Sequence, residues 1–193
     1  DKKERGVHPA FDARLDALVP VVRGKMRVRI HCHRADDITT AIRLAKEFHL
    51  DYALEHATEG YKIADLLARE KVACTVGPLL LTPLKMEVWG LKQTTPGVLE
   101  KAGVPVCLTA DGGWDTQWLP VYAGIIVRNG MSEKGALEAM TIRPARVMGV
   151  QDRVGSIEAG KDADFAVFNG NPLCNLTECL MTIIDGEVLS DKR

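Results

Sequence analysis

The sequence has no Cys-x-x-Cys pair, and its five cysteines, Cys32, Cys74, Cys107, Cys174 and Cys179, are odd in number. Such a set builds neither a disulfide framework nor a thiolate zinc knot, so reduced, mostly buried thiols are expected. An excess of charge of one sign is also missing. The 25 Lys and Arg are offset by 26 Asp and Glu, and no basic face for nucleic acid is expected. No apolar run approaches the roughly 20 residues that a membrane-spanning helix needs. The opening DKKERGVHPA carries positive charge without a following apolar stretch, unlike a secretory signal. These absences give the expectation of a cytoplasmic protein with neither a membrane nor a nucleic-acid partner. The first residue is Asp rather than Met, a hint of a truncated or processed chain.

What remains is the composition of a globular chain. Its 193 residues, 46% hydrophobic and 26% charged, suffice for one well-buried domain or for part of a larger one. Phe11, Leu15, Leu18, Val19 and Val22 recur at helical spacing, and a helix from about Ala10 to Val22 is expected to pack on the next strand, kinked or ended by Pro20. From Met26 to His31 the period becomes two, with Val28 and Ile30 on one face and Arg29, His31 and His33 on the other. Asp36 or Asp37 is expected to cap a helix with the stripe Ile38, Ala41, Ile42 and Ala45.

Further units follow in the same alternation. A strand is expected at Tyr52 to His56 and a helix around Ile63, Leu66 and Leu67. The strand Val72 to Val76 ends at Gly77-Pro78, and the helix from Thr95-Pro96 closes before Gly103. The strand Val104 to Ala110 precedes a helix from about Thr116 to Val127 and another after Ser132. Four βα units joined by right-handed crossovers suit half of an eight-unit barrel. From about Gly149 short β segments with turn signals at Gly155, Gly160, Asn169-Gly170 and Asp185-Gly186 take over. The expected fold is α/β: a partial (β/α) TIM-type barrel over residues 1–149, then strands of a small β-sandwich over 150–193.

Three apolar segments, VRIHCH, YALEH and VCLTAD, run out on lone-pair donors: His31, His56 and Asp111. Parallel strands of a barrel deliver such residues to one mouth, so the three are read as ligands of a common divalent metal. His33 shares a strand face with His31 and is read as a substrate contact. Lys85 and Glu87, in the long loop after Gly77-Pro78, are further candidates for substrate contact. Each has a plainer reading. Lys85 and Glu87 suit a solvated loop pair, Asp111 suits a helix cap in the turn-like TADGGWD, and Asp162 and Asp164 suit turn and strand-edge positions. His8 and His49 are read as structural.

HCHRADDI, LEHATEG, TVGP, LTAD, the stretch TIRPARVMGVQDRVGSIEAGKDADFAVFNGNP and the final IIDGEVL together resemble the C-terminal half of the amidohydrolase superfamily, nearest its imidazolonepropionase-like branch. The likeness spans nearly the whole chain, and Gly155 to Pro172 is its most specific part. It implies a metal-dependent hydrolase that cleaves C–N bonds with one or two ions, commonly zinc or iron. By that resemblance His31 corresponds to the fifth-strand ligand, His56 to the sixth-strand histidine and Asp111 to the eighth-strand aspartate. The first-strand HxH pair and the fourth-strand lysine or glutamate have no counterpart in this sequence.

The chemistry suits these residue types. A divalent metal lowers the pKa of its water from about 15.7 toward about 7 and polarises a carbonyl, and imidazole and carboxylate are suitable ligands for zinc or iron. Asp111 is assigned the proton shuttle to the departing nitrogen. His56 either ligates a second metal or hydrogen-bonds the developing oxyanion. The expected substrate is a small cyclic or linear amide, a ureide or a dipeptide-like compound. A half-barrel leaves strand edges and apolar surface bare, so a homo-oligomer or pairing with a missing N-terminal half is expected. The alternative function is a non-catalytic half-barrel subunit that pairs with another chain.

Overall fold

The structure is a computed structural model that describes residues 10–80 and 85–193, so His8 lies outside the described residues. Two short helical turns, α1 (Ala13–Asp16) and α2 (Val19–Val22), precede an alternation of strands and helices. These are β1 (Val28–Cys32), α3 (Ala35–Glu47), β2 (Tyr52–His56), α4 (Ala64–Glu70), β3 (Cys74–Val76), α5 (Thr95–Lys101) and β4 (Val106–Leu108). Three helices follow, α6 (Leu119–Arg128), α7 (Glu133–Met140) and α8 (Ile142–Met148), and then β5 (Phe165–Phe168), β6 (Cys179–Ile184) and β7 (Glu187–Asp191). The architecture is α/β. No helix among the described residues is long and apolar enough to cross a membrane.

The first four strands form one parallel sheet in the order β1-β2-β3-β4. Its register sets Cys32 beside His56, His56 beside Val76 and Val76 beside Leu108, so the C-terminal ends of all four strands stand abreast, about 4.8 Å apart. Alternation then divides the two faces. Leu54, Cys74, Val76, Val106 and Leu108 are buried in one core with Ile38, Leu67, Leu99 and Ile126 from the helices. The opposite face carries polar groups, where Glu55 accepts from Arg29 at 3.2 Å and from Thr75 Oγ1 at 3.4 Å. That polar face explains why β1 and β2 read as alternating rather than as the continuous apolar runs of a sheet buried on both sides.

Three local expectations need correction. The segment from Ala10 to Val22 is two separate turns, and Phe11, Leu15, Leu18 and Val22 are exposed rather than packed on β1. Helix α3 starts at Ala35, with Arg34 and not Asp36 or Asp37 at its N-cap. Carboxylates still satisfy its first amides from a distance: Asp37 accepts from the Arg34 N–H at 3.3 Å and Glu59 from the Ala35 N–H at 3.1 Å. The helix after Ser132 is two helices, broken at Thr141. Pro144 lacks an N–H and its ring would clash with the carbonyl four residues back, so α7 cannot run through it. Ser132 itself caps α7 as its position suggests, accepting from the Gly135 N–H at 2.9 Å.

The last three strands form an antiparallel sheet, β5-β6-β7. Asp185 and Gly186, both at positive φ (51° and 81°), make the tight turn between β6 and β7. Asp164 accepts from the Asp185 N–H at 2.9 Å and Asp162 pairs with Arg153 at 2.6 Å, which accounts for both carboxylates as turn supports. Cys32, Cys74 and Cys107 are buried in the α/β unit, Cys179 is half-buried and Cys174 is exposed. Burial pushes the Cys32 and Cys107 thiols up to about 12 and the Cys74 thiol up as well, so all three are inert thiols at neutral pH.

Candidate metal centre

Strand β1 ends by presenting His31 on the polar face, exposed, and the same parity carries on to His33, which is buried. The end of β2 departs from alternation. Two residues after the core-facing Leu54, His56 would point into the helices, yet it adopts φ 69° and is followed by Ala57 at φ 40°. A left-handed conformation in such residues costs about 1–3 kcal/mol and persists only where surrounding contacts hold it. Here the holding contact is a 2.6 Å hydrogen bond from His56 Nδ1 to the Gly77 carbonyl. The result is a cluster: the His56 ring centroid lies 4.4 Å from that of His31 and 4.7 Å from that of His33, and His31 and His33 are 4.7 Å apart.

Gly77 is itself required by geometry. It has φ 138°, and a Cβ there would lie 2.1 Å from the Thr109 carbonyl oxygen after β4. Gly77→Ala is expected to lower stability by about 2 kcal/mol or more and to displace His56. Denaturant unfolding and the His56 ring resonances in NMR check both effects.

Each of the two buried imidazoles is anchored through Nδ1. With Nδ1–H donated to Gly77, His56 keeps its Nε2 toward Asp111 in the mouth. His33 Nδ1 meets Thr58 Oγ1 at 2.8 Å, and its Nε2 is buried with no hydrogen-bond partner. Burial, with the charges of His56, Lys85 and His31 adding to it, takes the His33 pKa down to about 4, so the ring is neutral at physiological pH. Anchored Nδ1 and free Nε2 is the arrangement found in metal-binding histidines, whose second nitrogen is fixed by a carbonyl or another acceptor. One donor atom from each of His31, His33 and His56 lies within 4.8 Å of the others.

Asp111 stands three residues beyond β4 at φ 60°, with its N–H donated to Thr109 Oγ1 at 3.1 Å. Its Oδ1 is 4.0 Å from His56 Nε2. The helical turn after it begins at Thr116 with Asp115 as N-cap, so the capping reading of Asp111 does not hold. Glu87 links two other candidates: it pairs with Lys85, and its Oε1 is 3.7 Å from His33 Nε2. Lys85 holds the Glu87 carboxyl below the usual carboxylate range. His31, His33, His56, Lys85 and Asp111 line one cavity of about 220 Å³. His49 lies apart, exposed in the turn after α3 at φ 52°.

Two cavities more than twice as large, of about 550 and 620 Å³, lie elsewhere and contain no histidine. One is at the N-terminal ends of the strands around Arg27, Tyr52 and Arg143, the other between α7, α8 and the antiparallel sheet. Donor atoms rather than volume mark the small mouth at the C-terminal strand ends. Sequence reasoning brought His31, His33, His56, Asp111, Lys85 and Glu87 to this region but missed Thr58 and the Gly77 carbonyl. The one available signal for Gly77 was the Gly-Pro punctuation after β3.

The profile of the amidohydrolase family matches residues 21–190. The chain belongs to the amidohydrolase family. It is similar to a solved amidohydrolase from Thermotoga maritima MSB8, with a TM-score of 0.88 and 38% identity over 98% of this chain and 50% of that one. Among curated relatives, the amidohydrolase tasK of Hapsidospora irregularis is 24% identical over 93% of this chain and 19% of its own length. The imidazolonepropionase of Geobacillus kaustophilus is 40% identical over 35% of this chain and 17% of its own. Within the amidohydrolase superfamily the chain is therefore imidazolonepropionase-like. It spans half of the solved relative and less than a fifth of these two curated ones.

Proposed function

We propose that this chain forms the second half of a (β/α) barrel, residues 1–149, with strands of a small β-sandwich in 150–193. Its mouth serves a metal-dependent hydrolase that cleaves the C–N bond of a small cyclic or linear amide. The observation that supports this most is the convergence of His31, His56 and Asp111 from three separate strand ends on one cavity. The residues suit a metal, because His33 Nε2 is a buried nitrogen without a partner and His56 Nε2 is left free by the Gly77 hydrogen bond. His31 and His56, with Asp111, would hold a zinc or iron ion.

When bound, such an ion supplies a water of lowered pKa and a polarised carbonyl. The chain's own residues do the rest. Asp111, 4.0 Å from His56 Nε2 and open to the cavity, accepts the proton of the attacking water and passes it to the departing nitrogen. Lys85 and Glu87 stand at the rim to orient the polar part of the substrate. Leu91 and Val88 give the cavity an apolar wall that keeps bulk water from the reacting bond.

The test is hydrolysis of a panel of cyclic amides, ureides and N-acyl amino acids by the complete protein before and after treatment with a chelator. Loss of turnover on chelation with recovery on adding Zn²⁺ or Fe²⁺ is expected. Undiminished hydrolysis in a protein shown to be metal-free would overturn the proposal.

A further inference from the structure

We infer that His33, together with His31 and His56, completes a three-imidazole metal site within this chain, with His33 a ligand rather than a substrate contact. The inference rests on reading this mouth as a metal site and names a donor that the family resemblance does not supply. Three observations support it. His33 Nε2 is one of the two side-chain polar atoms among the described residues that are buried and unpartnered, the other being the hydroxyl of Thr95. A buried nitrogen left without a hydrogen bond is unfavourable, and a metal–nitrogen bond removes that penalty. The two buried rings have centroids 4.7 Å apart, and each is anchored by Nδ1, which leaves its Nε2 as the available donor.

His31 supplies the remaining freedom. The three donor atoms lie within 4.8 Å of one another, whereas Zn–N bonds of about 2.0–2.1 Å in a tetrahedron bring nitrogens to roughly 3.4 Å. His31 is exposed and free to turn toward the buried pair, and small rotations of the His33 and His56 rings about their Nδ1 anchors close the rest of the gap. Three imidazoles equal in number the protein ligands of an open catalytic zinc. His33 adds to the set of His31, His56 and Asp111, and Asp111 keeps its proton-transfer role. Glu87, 3.7 Å from His33 Nε2, would neutralise part of the added positive charge.

Co²⁺ is the probe, titrated into the full chain and into His33→Ala, His31→Ala and, as a control, His49→Ala, with visible absorption as the readout. His33→Ala and His31→Ala are each expected to weaken Co²⁺ binding by at least about 100-fold, the upper end of what losing even an outer-shell partner costs. His49→Ala should leave binding unchanged. Because His33 is buried, X-ray absorption of the Zn²⁺-loaded parent provides a second measurement, and three imidazole nitrogens at about 2.0–2.1 Å are expected. Parent-like Co²⁺ affinity in folded His33→Ala, or a count of two imidazoles, overturns the inference while leaving the metal reading of the site intact. A parent that binds neither ion overturns both.

Discussion

Asp111→Asn in the complete protein is expected to lower kcat by about 10²–10⁴-fold, the usual range for loss of a positioned acid–base group, while KM changes little. Asparagine keeps the size of the side chain and one oxygen that can still reach a metal, without the carboxylate's charge. What it cannot do is take and release a proton. The backbone should hold the substituted residue where the aspartate stood, because the Asp111 N–H is tied to Thr109 Oγ1 and asparagine tolerates the φ of 60° as well as aspartate does. The melting temperature of the metal-free protein should therefore match that of the parent, and measuring kcat with metal in excess isolates proton transfer from ligation and folding. A variant that retains kcat within tenfold of the parent would remove Asp111 from the chemistry.

Much of the fold was legible because its causes are local. Val28 and Ile30 against Arg29 and His31 announce a strand with one apolar face, and the structure shows the core on one side and the Arg29–Glu55 pair on the other. Thr95-Pro96 opening α5, Ser132 capping α7 and Asp185-Gly186 turning β6 into β7 are likewise signals contained in a few adjacent residues. The misses involve partners far along the chain. The start of α3 depends on Glu59, 24 residues away from the amide that it accepts, and Asp36 and Asp37 seemed the caps because only neighbours could be weighed. The exposure of Phe11, Leu15, Leu18 and Val22 shows the same limit: helical spacing identifies an apolar stripe but not what covers it.

The candidate site divides in the same way. That His31, His56 and Asp111 share a mouth followed from their places at strand ends. The orientation of His56 did not, since simple alternation assigns it to the core with Leu54. It is reversed by a left-handed backbone, by the hydrogen bond to Gly77 and by the absence of a Cβ at Gly77 beside Thr109. His33 was visible as a neighbour of His31 on one face. Its unpartnered Nε2 became visible only once Thr58 had claimed Nδ1.

His31→Ala is the substitution in which function and folding should separate most cleanly. His31 is exposed, so its removal opens no cavity and strands no buried group. His56→Ala would do both, leaving the buried Gly77 carbonyl without its donor at a cost of about 1–3 kcal/mol. In the complete protein His31→Ala is expected to reduce hydrolysis by at least about 100-fold, more than loss of an outer-shell partner costs, with a melting temperature in the metal-free state within about 2 °C of the parent's. The two readouts together decide the role. Low activity with an unchanged metal-free melt and reduced metal content identifies a ligand, because a purely structural residue would shift the melt first. Turnover within tenfold of the parent would show that the exposed imidazole at the end of β1 takes no part in hydrolysis, and the common metal read from three strand ends would lose its first member.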